Sequence, residues 1–472
     1  MTGTIDSDVT IRPVTQELAE FITGLSFSDL PPEVVGMARR CVLDSLGCGI
    51  YGSATPWVDA VVRTVELLGQ ARTARAWGRP VLADPLGVAL INGTAAQGYE
   101  LDDCHDQSMS HYGAGVVPAV LAVAEAMGPF DGRQIVTAVV AGYEVGTRVG
   151  NTVSPSAFHR GFHPCGLTSA FASAAAIGKL LGLTTDQFVN ALGLAGSQAA
   201  GLMASQYGAM AKRFHSGKAA QNGIIAALAA REGLTGVRNV LEAPYGGFCS
   251  TYSAEYDLDY AVTGLGEHWE ILRNGFKRYS SLASSQTSVD ALRAIQARTG
   301  VRPEDVEKVL VETTETVRVH CGWPYVPNGE TIAAQMNLPY TAAVTLIDGT
   351  AFIDGYTDDR LADPRILELA GRVEVVVAPD LDALGKDEMR AVRVTLTTKE
   401  GQAHAESVPY RSGHWRNPLS DADLAAKFRD LATRVITDDA AAVIERVVLG
   451  LDDAEDPVAE LAKPLQDLRR QS

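Results

Sequence analysis

The stretch YELDDCHDQSMSHYGAG, Tyr99 to Gly115, sets Glu100, Asp102, Asp103 and Asp106 beside His105 and His111, with Cys104 among them. Three chemistries use such residues: metal binding, a nucleophile with its base, and proton transfer that needs neither. Zinc wants three or four ligands at set spacings, and His105 with His111 matches no H-E-x-x-H pattern. Adjacent carboxylates can also be a solvated helix cap. Carboxylates beside two imidazoles, in a region otherwise rich in Ala, Gly and Val, are placed to have their proton affinities tuned, which favours acid–base chemistry.

Three further stretches carry chemistry. HRGFHPCG places His159, Arg160, His163 and Cys165 just before an alanine-rich segment that reads as a helix, and a helix N-terminus attracts anions. His163 can equally be a turn histidine, and Cys165 has no activator beside it in sequence. AKRFHSGKAAQNG gathers Lys212, Arg213, His215 and Lys218 around a predicted helix start with Ser216 as N-cap, a setting for a carboxylate or phosphate or else a solvated basic face. FKRYSSLASSQTS sets Lys277, Arg278 and Tyr279 at a predicted domain boundary, where ligand crevices are common. P-loop, G-x-S-x-G and strand-borne G-x-G-x-x-G patterns are missing, which argues against nucleotide binding and serine hydrolysis.

The elements that must position these groups are mostly helices. Apolar residues recur at three- and four-residue spacing in PPEVVGMARRCVLDSLGCGIYG, VVPAVLAVAEAMG, GRQIVTAVVAGYEVGTRVG, GLTSAFASAAAIGKLLGL, TDQFVNALGLAGSQAAGL and GKAAQNGIIAALAAREGLTG. After about residue 275 the texture changes. VEKVLVETTETV, RVEVVVAPDLD and MRAVRVTLTTKEGQAHAESV alternate β-branched with polar residues, as half-buried strands do, with KEGQ as a hairpin turn. The pattern predicts a mainly α protein: a large multihelical domain over 1–274, an inserted smaller α+β domain over 275–405, and a return to the helices over 406–472. A length of 472 residues allows a large buried core, and the balance of 46% hydrophobic and 21% charged residues is that of a soluble enzyme. The net charge of −17 disfavours nucleic acid and anionic membranes as partners. Six scattered cysteines without a C-x-x-C pair, no basic-then-apolar opening and no membrane-span pattern lead us to expect reduced thiols in a soluble, cytoplasmic protein.

Read together, these motifs resemble the MmgE/PrpD superfamily, which includes 2-methylcitrate dehydratase, cis-aconitate decarboxylase and iminodisuccinate epimerase. The resemblance is carried by LPPEVVGMARRCVLDSLGCGIYG, by ELDDCH with HYGAGVVPAVLAVAEA, and by RGFHPCGLTSAFASAAAIGKLLGL. It continues through MAKRFHSGKAAQNGIIAALAAREGLTG, NLPYTAAVTLIDG and NPLSDADLAAKF, so it runs through nearly the whole chain. It implies a helical domain with an α+β lid, a homodimer, an active site between the domains, and chemistry with neither metal nor organic cofactor. Carried over by position, it implies site roles for Glu100, where an Asp is usual, for Cys104, where a Thr is frequent, and for His111, His163, Lys212, Lys277 and Tyr340. Leu282 stands where the decarboxylase has a lid histidine.

Eliminating water or carbon dioxide from a polycarboxylate, or inverting its carbon, builds electron density beside a group that is already negative. Such a site needs cations to hold carboxylates and a placed acid and base. We expect His111 and His163 to move protons, Glu100 or Asp102 to orient an imidazole, and Tyr340 to donate to a developing oxyanion. Lys212, Lys277, Arg278, His215, Asp102 and Cys104 would surround a small anionic substrate. The leading expectation is a cofactor-independent hydro-lyase on a hydroxy-polycarboxylate. Decarboxylation, isomerisation or epimerisation, and a non-catalytic binding role are the alternatives.

Overall fold

In a computed structural model describing residues 12–69, 71–327 and 329–469, helices account for most of the chain. Their ends are where local chemistry puts them. Pro32 opens the helix Pro32–Gly52, where a missing N–H costs no hydrogen bond. The Asp84 carboxylate accepts from the N–H groups of Leu86 and Gly87 to start Pro85–Ala96. Asp131 with Gln134, and Thr184 with Gln187, form capping boxes on Gly132–Val153 and Thr185–Gly196. The helix Pro164–Leu180 is buried over nearly its whole length, as its run of Ala, Ser and Gly permits. Close helix approach depends on such residues: a Cβ on Gly93 would lie 2.7 Å from Cα of Gly217, on the helix Ala211–Arg231.

Two departures from the sequence expectations matter for the site. The helix expected to begin near Ser216 begins at Ala211, so Ser216 lies inside it and its hydroxyl donates to Gln97 Oε1 at 2.6 Å. No open helix end therefore lies beside Lys218. The helix expected to reach Leu202 stops at Gly196, and Gly201 follows with φ of +147°, a conformation that L side chains rarely adopt.

Among the described residues, eight short strands complete the fold. β1 (Ala74–Arg75) and β2 (Leu82–Ala83) pair antiparallel, as do β3 (Cys104–His105) and β4 (Asn274–Gly275), with Cys104 opposite Gly275. The remaining sheet, in order β6-β5-β7-β8, contains β5 (Val306–Thr313), β6 (Val373–Val377), β7 (Val392–Thr398) and β8 (Ala403–Val408). β5 runs parallel to β6 and antiparallel to β7. Val392, Val394 and Leu396 are the buried face of β7, and Thr398 to Gln402 form the turn into β8.

Apolar side chains gather into two main cores. One joins residues from Val14 to Phe276 with the tail helices, through Leu424, Phe428, Ile444 and Val448. The other spans Tyr279 to Val408 and includes the sheet and the helices Ala283–Thr299 and Leu338–Asp348. A polar seam binds the two. Gln335 Nε2 donates to the Tyr99 carbonyl at 3.1 Å, and Arg213, lying over the Trp57 ring, donates to Gln335 Oε1 at 2.6 Å. Among the described residues, no helix is long and apolar enough to cross a membrane.

Candidate active site

The loop that opened the sequence analysis is no solvated cap. From Glu100 to Ser110 only Gln107 is not buried. Pairing of β3 with β4 draws it against the start of the second core, so this acidic loop and Lys277 meet at the seam. Glu100 has φ of 55° and Met109 of 54°, the only non-glycine positive values among the described residues, and both line the same cavity. Such backbone strain gathers where the surroundings hold a functional group in place.

That cavity, with about 370 Å³ of empty volume, lies between the two cores. Its helical side is made by Glu100, His111, His163, Lys212, Met109, Phe158, Pro164 and Met203. Its roof is made by Leu282, Ala283, His320, Met336 and Arg390.

Polar groups on the helical side are tied to one another. Lys212 Nζ lies 2.7 Å from Glu100 Oε1, and Lys277 Nζ lies 3.4 Å from Glu100 Oε2 and 3.2 Å from Asp102 Oδ1. Burial alone would raise the proton affinity of Glu100, but Lys212 and Lys277 outweigh it and hold the carboxyl well below its usual range. Burial would likewise lower Lys277, yet Asp102 and Glu100 outweigh it and keep the ammonium charged. Asp103, buried near Asp44 and Asp102, is pushed up to about 7, while Tyr143 and Asn274 donate to its carboxylate at 2.8 Å.

The imidazoles differ in their partners. His111 Nδ1 sits 2.5 Å from the Asp103 carbonyl, which can only accept, so Nδ1 carries the proton and Nε2 of the neutral ring is free to act as a base. Asp102 Oδ2 lies 3.5 Å from the same Nδ1, and its Oδ1 faces Lys277, so this carboxylate stands between the imidazole and the lysine. His163 precedes Pro164, the first residue of its helix, and its Nδ1 meets His215 Nδ1 at 3.0 Å. In the roof, Ser284 Oγ lies 3.0 Å from His320 Nδ1 and accepts from Arg390 Nε at 3.3 Å. The only acceptor within reach of the Ser284 hydroxyl hydrogen, among the described residues, is His320 Nδ1, which leaves the His320 proton on Nε2. Burial, with Lys277 second, lowers His111 to about 4; burial, with Lys212 second, lowers His320 to about 3. Burial and then Lys212 also lower His163. All three are neutral imidazoles in the empty cavity.

Behind Arg390 lies a second ionic group. Asp106 pairs with Arg390, with Arg411 at 3.1 Å and with His414 at 3.4 Å. Lys212, Lys277, Arg390 and Arg411 thus face the three carboxylates Glu100, Asp102 and Asp106. A local excess of positive charge sits inside a chain whose net charge is −17. Among the described residues, no three His, Cys, Asp or Glu side chains form a group able to hold a metal.

Of the residues singled out in the sequence, Glu100, His111, His163 and Lys212 line the cavity, and Asp102 and Lys277 stand directly behind Glu100. Four others are elsewhere. His215 lies behind His163 and borders a separate surface groove. Cys104 is buried against Asp106, its sulfur 3.6 Å from Oδ1. Arg278 is exposed, while its neighbours Phe276, Lys277 and Tyr279 are all buried. Tyr340 is buried in the second core between Tyr325 and Tyr356, and its hydroxyl donates to the Gly355 carbonyl at 3.1 Å. The sequence reading missed His320 and Arg390 as site groups. Neither belongs to a spaced motif, and the one local signal is a lone histidine in VHCGWPY.

Comparison with known proteins follows this geometry. Residues 16–261 match the MmgE/PrpD N-terminal domain and residues 279–453 the MmgE/PrpD C-terminal domain. The chain is 31% identical over 469 residues to a cis-aconitate decarboxylase of Aspergillus terreus, covering 95% of both chains. It is 28% identical over 459 residues to the cis-aconitate decarboxylase of Homo sapiens, covering 94% of this chain and 93% of the other. It is 26% identical over 436 residues to a 2-methylcitrate dehydratase of Cupriavidus necator, covering 84% and 86%. Matched in both domains, the chain belongs to the MmgE/PrpD family.

Proposed function

We propose that this chain is a lyase that decarboxylates a small unsaturated tricarboxylate of the cis-aconitate type by acid–base and electrostatic catalysis, with 275–405 acting as a lid. The observation that carries this reading is a cavity lined by a cation from each side and by apolar side chains between them. Lys212 and Arg390 suit the carboxylates that remain, and the apolar lining of Met109, Phe158, Met203, Leu282 and Met336 suits the departure of the third as carbon dioxide. An apolar wall disfavours a carboxylate more than it disfavours neutral carbon dioxide. As the C–C bond breaks, its electron pair stays on the substrate, is spread over the adjoining C=C bond, and is collected as a C–H bond by a proton from an imidazole. A bound trianion opposes the burial and the lysine charges that keep the imidazoles neutral, so substrate binding itself arms the acid.

Whole-chain likeness to cis-aconitate decarboxylases supports the same choice. Dehydration of a hydroxy-tricarboxylate is the second reading, favoured by the opposite tautomers of His111 and His320: a bare Nε2 to take a proton and an Nε2–H to give one to a leaving hydroxyl. Reduced thiols suit a cytoplasmic setting, the six cysteines being buried and free, and a homodimer belongs to the same reading, to be checked by light scattering on the eluting protein. The test is turnover of cis-aconitate and 2-methylcitrate, followed by carbon dioxide release for the first and by absorbance of the new conjugated alkene for the second. Turnover of neither removes the proposal.

A further inference from the structure

The cavity is closed around its reacting groups, yet decarboxylation consumes one proton per turnover, which has to reach it from solvent. His163 offers a way in. Its Nδ1 touches His215 Nδ1 at 3.0 Å, and Nε2 of each ring has no hydrogen bond among the described residues. His163 lines the closed cavity, whereas His215 lines a different and larger groove of about 1070 Å³, open to solvent and bordered by Phe214, Lys218 and Asn222. Gly201 lies beside both residues, where a side chain would crowd them. A Cβ there would lie 3.3 Å from His163 Cβ and 3.3 Å from His215 Nδ1, and the Gly201 carbonyl accepts the His163 N–H at 3.1 Å.

We infer that His163 and His215 form a two-imidazole proton relay connecting the reaction cavity to the groove behind it. This rests on His163 exchanging a proton with the substrate. In the outward stroke, Nε2 of His163 gains a proton from the cavity, its Nδ1 proton passes to Nδ1 of His215, and the Nε2 proton of His215 goes to water in the groove. One N–H bond forms and one breaks at each ring, and neither ring keeps a charge. The inward stroke is the reverse and delivers a proton to a carbanion. His215 therefore acts through His163 without touching substrate, which is why it stands outside the cavity.

The experiment compares His215→Ala and His215→Gln with the wild-type chain, using cis-aconitate and 2-methylcitrate as probes and adding imidazole to the buffer. In His215→Ala, kcat should fall about tenfold or more with KM changed less than about twofold. Added imidazole, reaching the vacated space through the groove, should restore kcat in that variant and leave His163→Ala unaffected. His215→Gln can still hydrogen-bond His163 but cannot pass a proton, so it should stay slow, and it serves if the alanine variant does not fold. Full activity in either variant, or a loss in His215→Ala that imidazole does not repair, overturns the relay. If His163→Ala is inactive while both His215 variants are fully active, the relay alone fails. If the wild-type chain turns over neither probe, or His163→Ala is fully active, the reading beneath it fails too.

Discussion

On the helical side of the cavity each polar group is fixed by a partner: Lys212 by Glu100, Lys277 by Glu100 and Asp102, His111 by the Asp103 carbonyl. On the lid side two polar groups reach in, His320 from the short helix Glu315–Cys321 and Arg390 from the irregular segment before β7, and they share one serine. The helical body thus fixes charge and proton positions among its own groups, and the segment 275–405 adds a donor and a cation. Breaking an ion pair of the body should abolish chemistry and weaken the fold together, whereas breaking the other side should weaken binding and rate with the fold intact.

The largest expected effect is at Lys212. Lys212→Ala leaves Glu100 buried with a single, longer contact to Lys277, and should lower kcat/KM by about 10³-fold and stability by about 3 kcal/mol, read by kinetics and by urea unfolding. His163→Ala should lower kcat by about 10²-fold with stability nearly unchanged. In the lid, His320→Ala should cost about tenfold in kcat, and Arg390→Ala should chiefly raise KM. A lid substitution that unfolds the protein as Lys212→Ala does would erase the distinction between the two regions.

How much of this was legible in the sequence follows the same division. His111, His163 and Lys212 sit in long, ordered motifs on or beside buried helices, so local pattern and family resemblance located them. His320 and Arg390 lie where the chain is short-helical or irregular, and only the sheet and the β3–β4 pairing bring them over the cavity. Adjacent charges also misled: Lys277 and Arg278 are indistinguishable by type, and only the ion pairs to Glu100 and Asp102 single out Lys277 as the buried one. Tyr340 was misplaced because a tyrosine in a motif can serve packing as well as chemistry. Ser216 looked like a cap because the helix start five residues earlier, at Ala211, has no capping side chain of its own.

Smaller effects sharpen the comparison further. The cavity imidazoles have folded-state proton affinities below the ordinary histidine value, so their contribution to stability is present above about pH 6.5 and is lost as pH falls toward about 4. Asp103, held up at about 7, works the opposite way over the same window, so the imidazole effect is read as a larger fall in melting temperature for the wild-type chain than for His320→Ala, and a bound tricarboxylate should reduce it by favouring the charged rings. Tyr340→Phe should be the mildest change: about 1 kcal/mol of stability from the lost bond to Gly355, with kcat and KM unchanged. A rate loss of about tenfold in that variant would return Tyr340 to the chemistry.

The most direct single measurement is reaction of the purified chain with cis-aconitate in deuterium oxide, with carbon dioxide and product deuterium both followed. Carbon dioxide release with one deuterium on carbon in the product, abolished in His163→Ala, is the expected result. Carbon dioxide release undiminished in His163→Ala, or none from the wild-type chain, would contradict it.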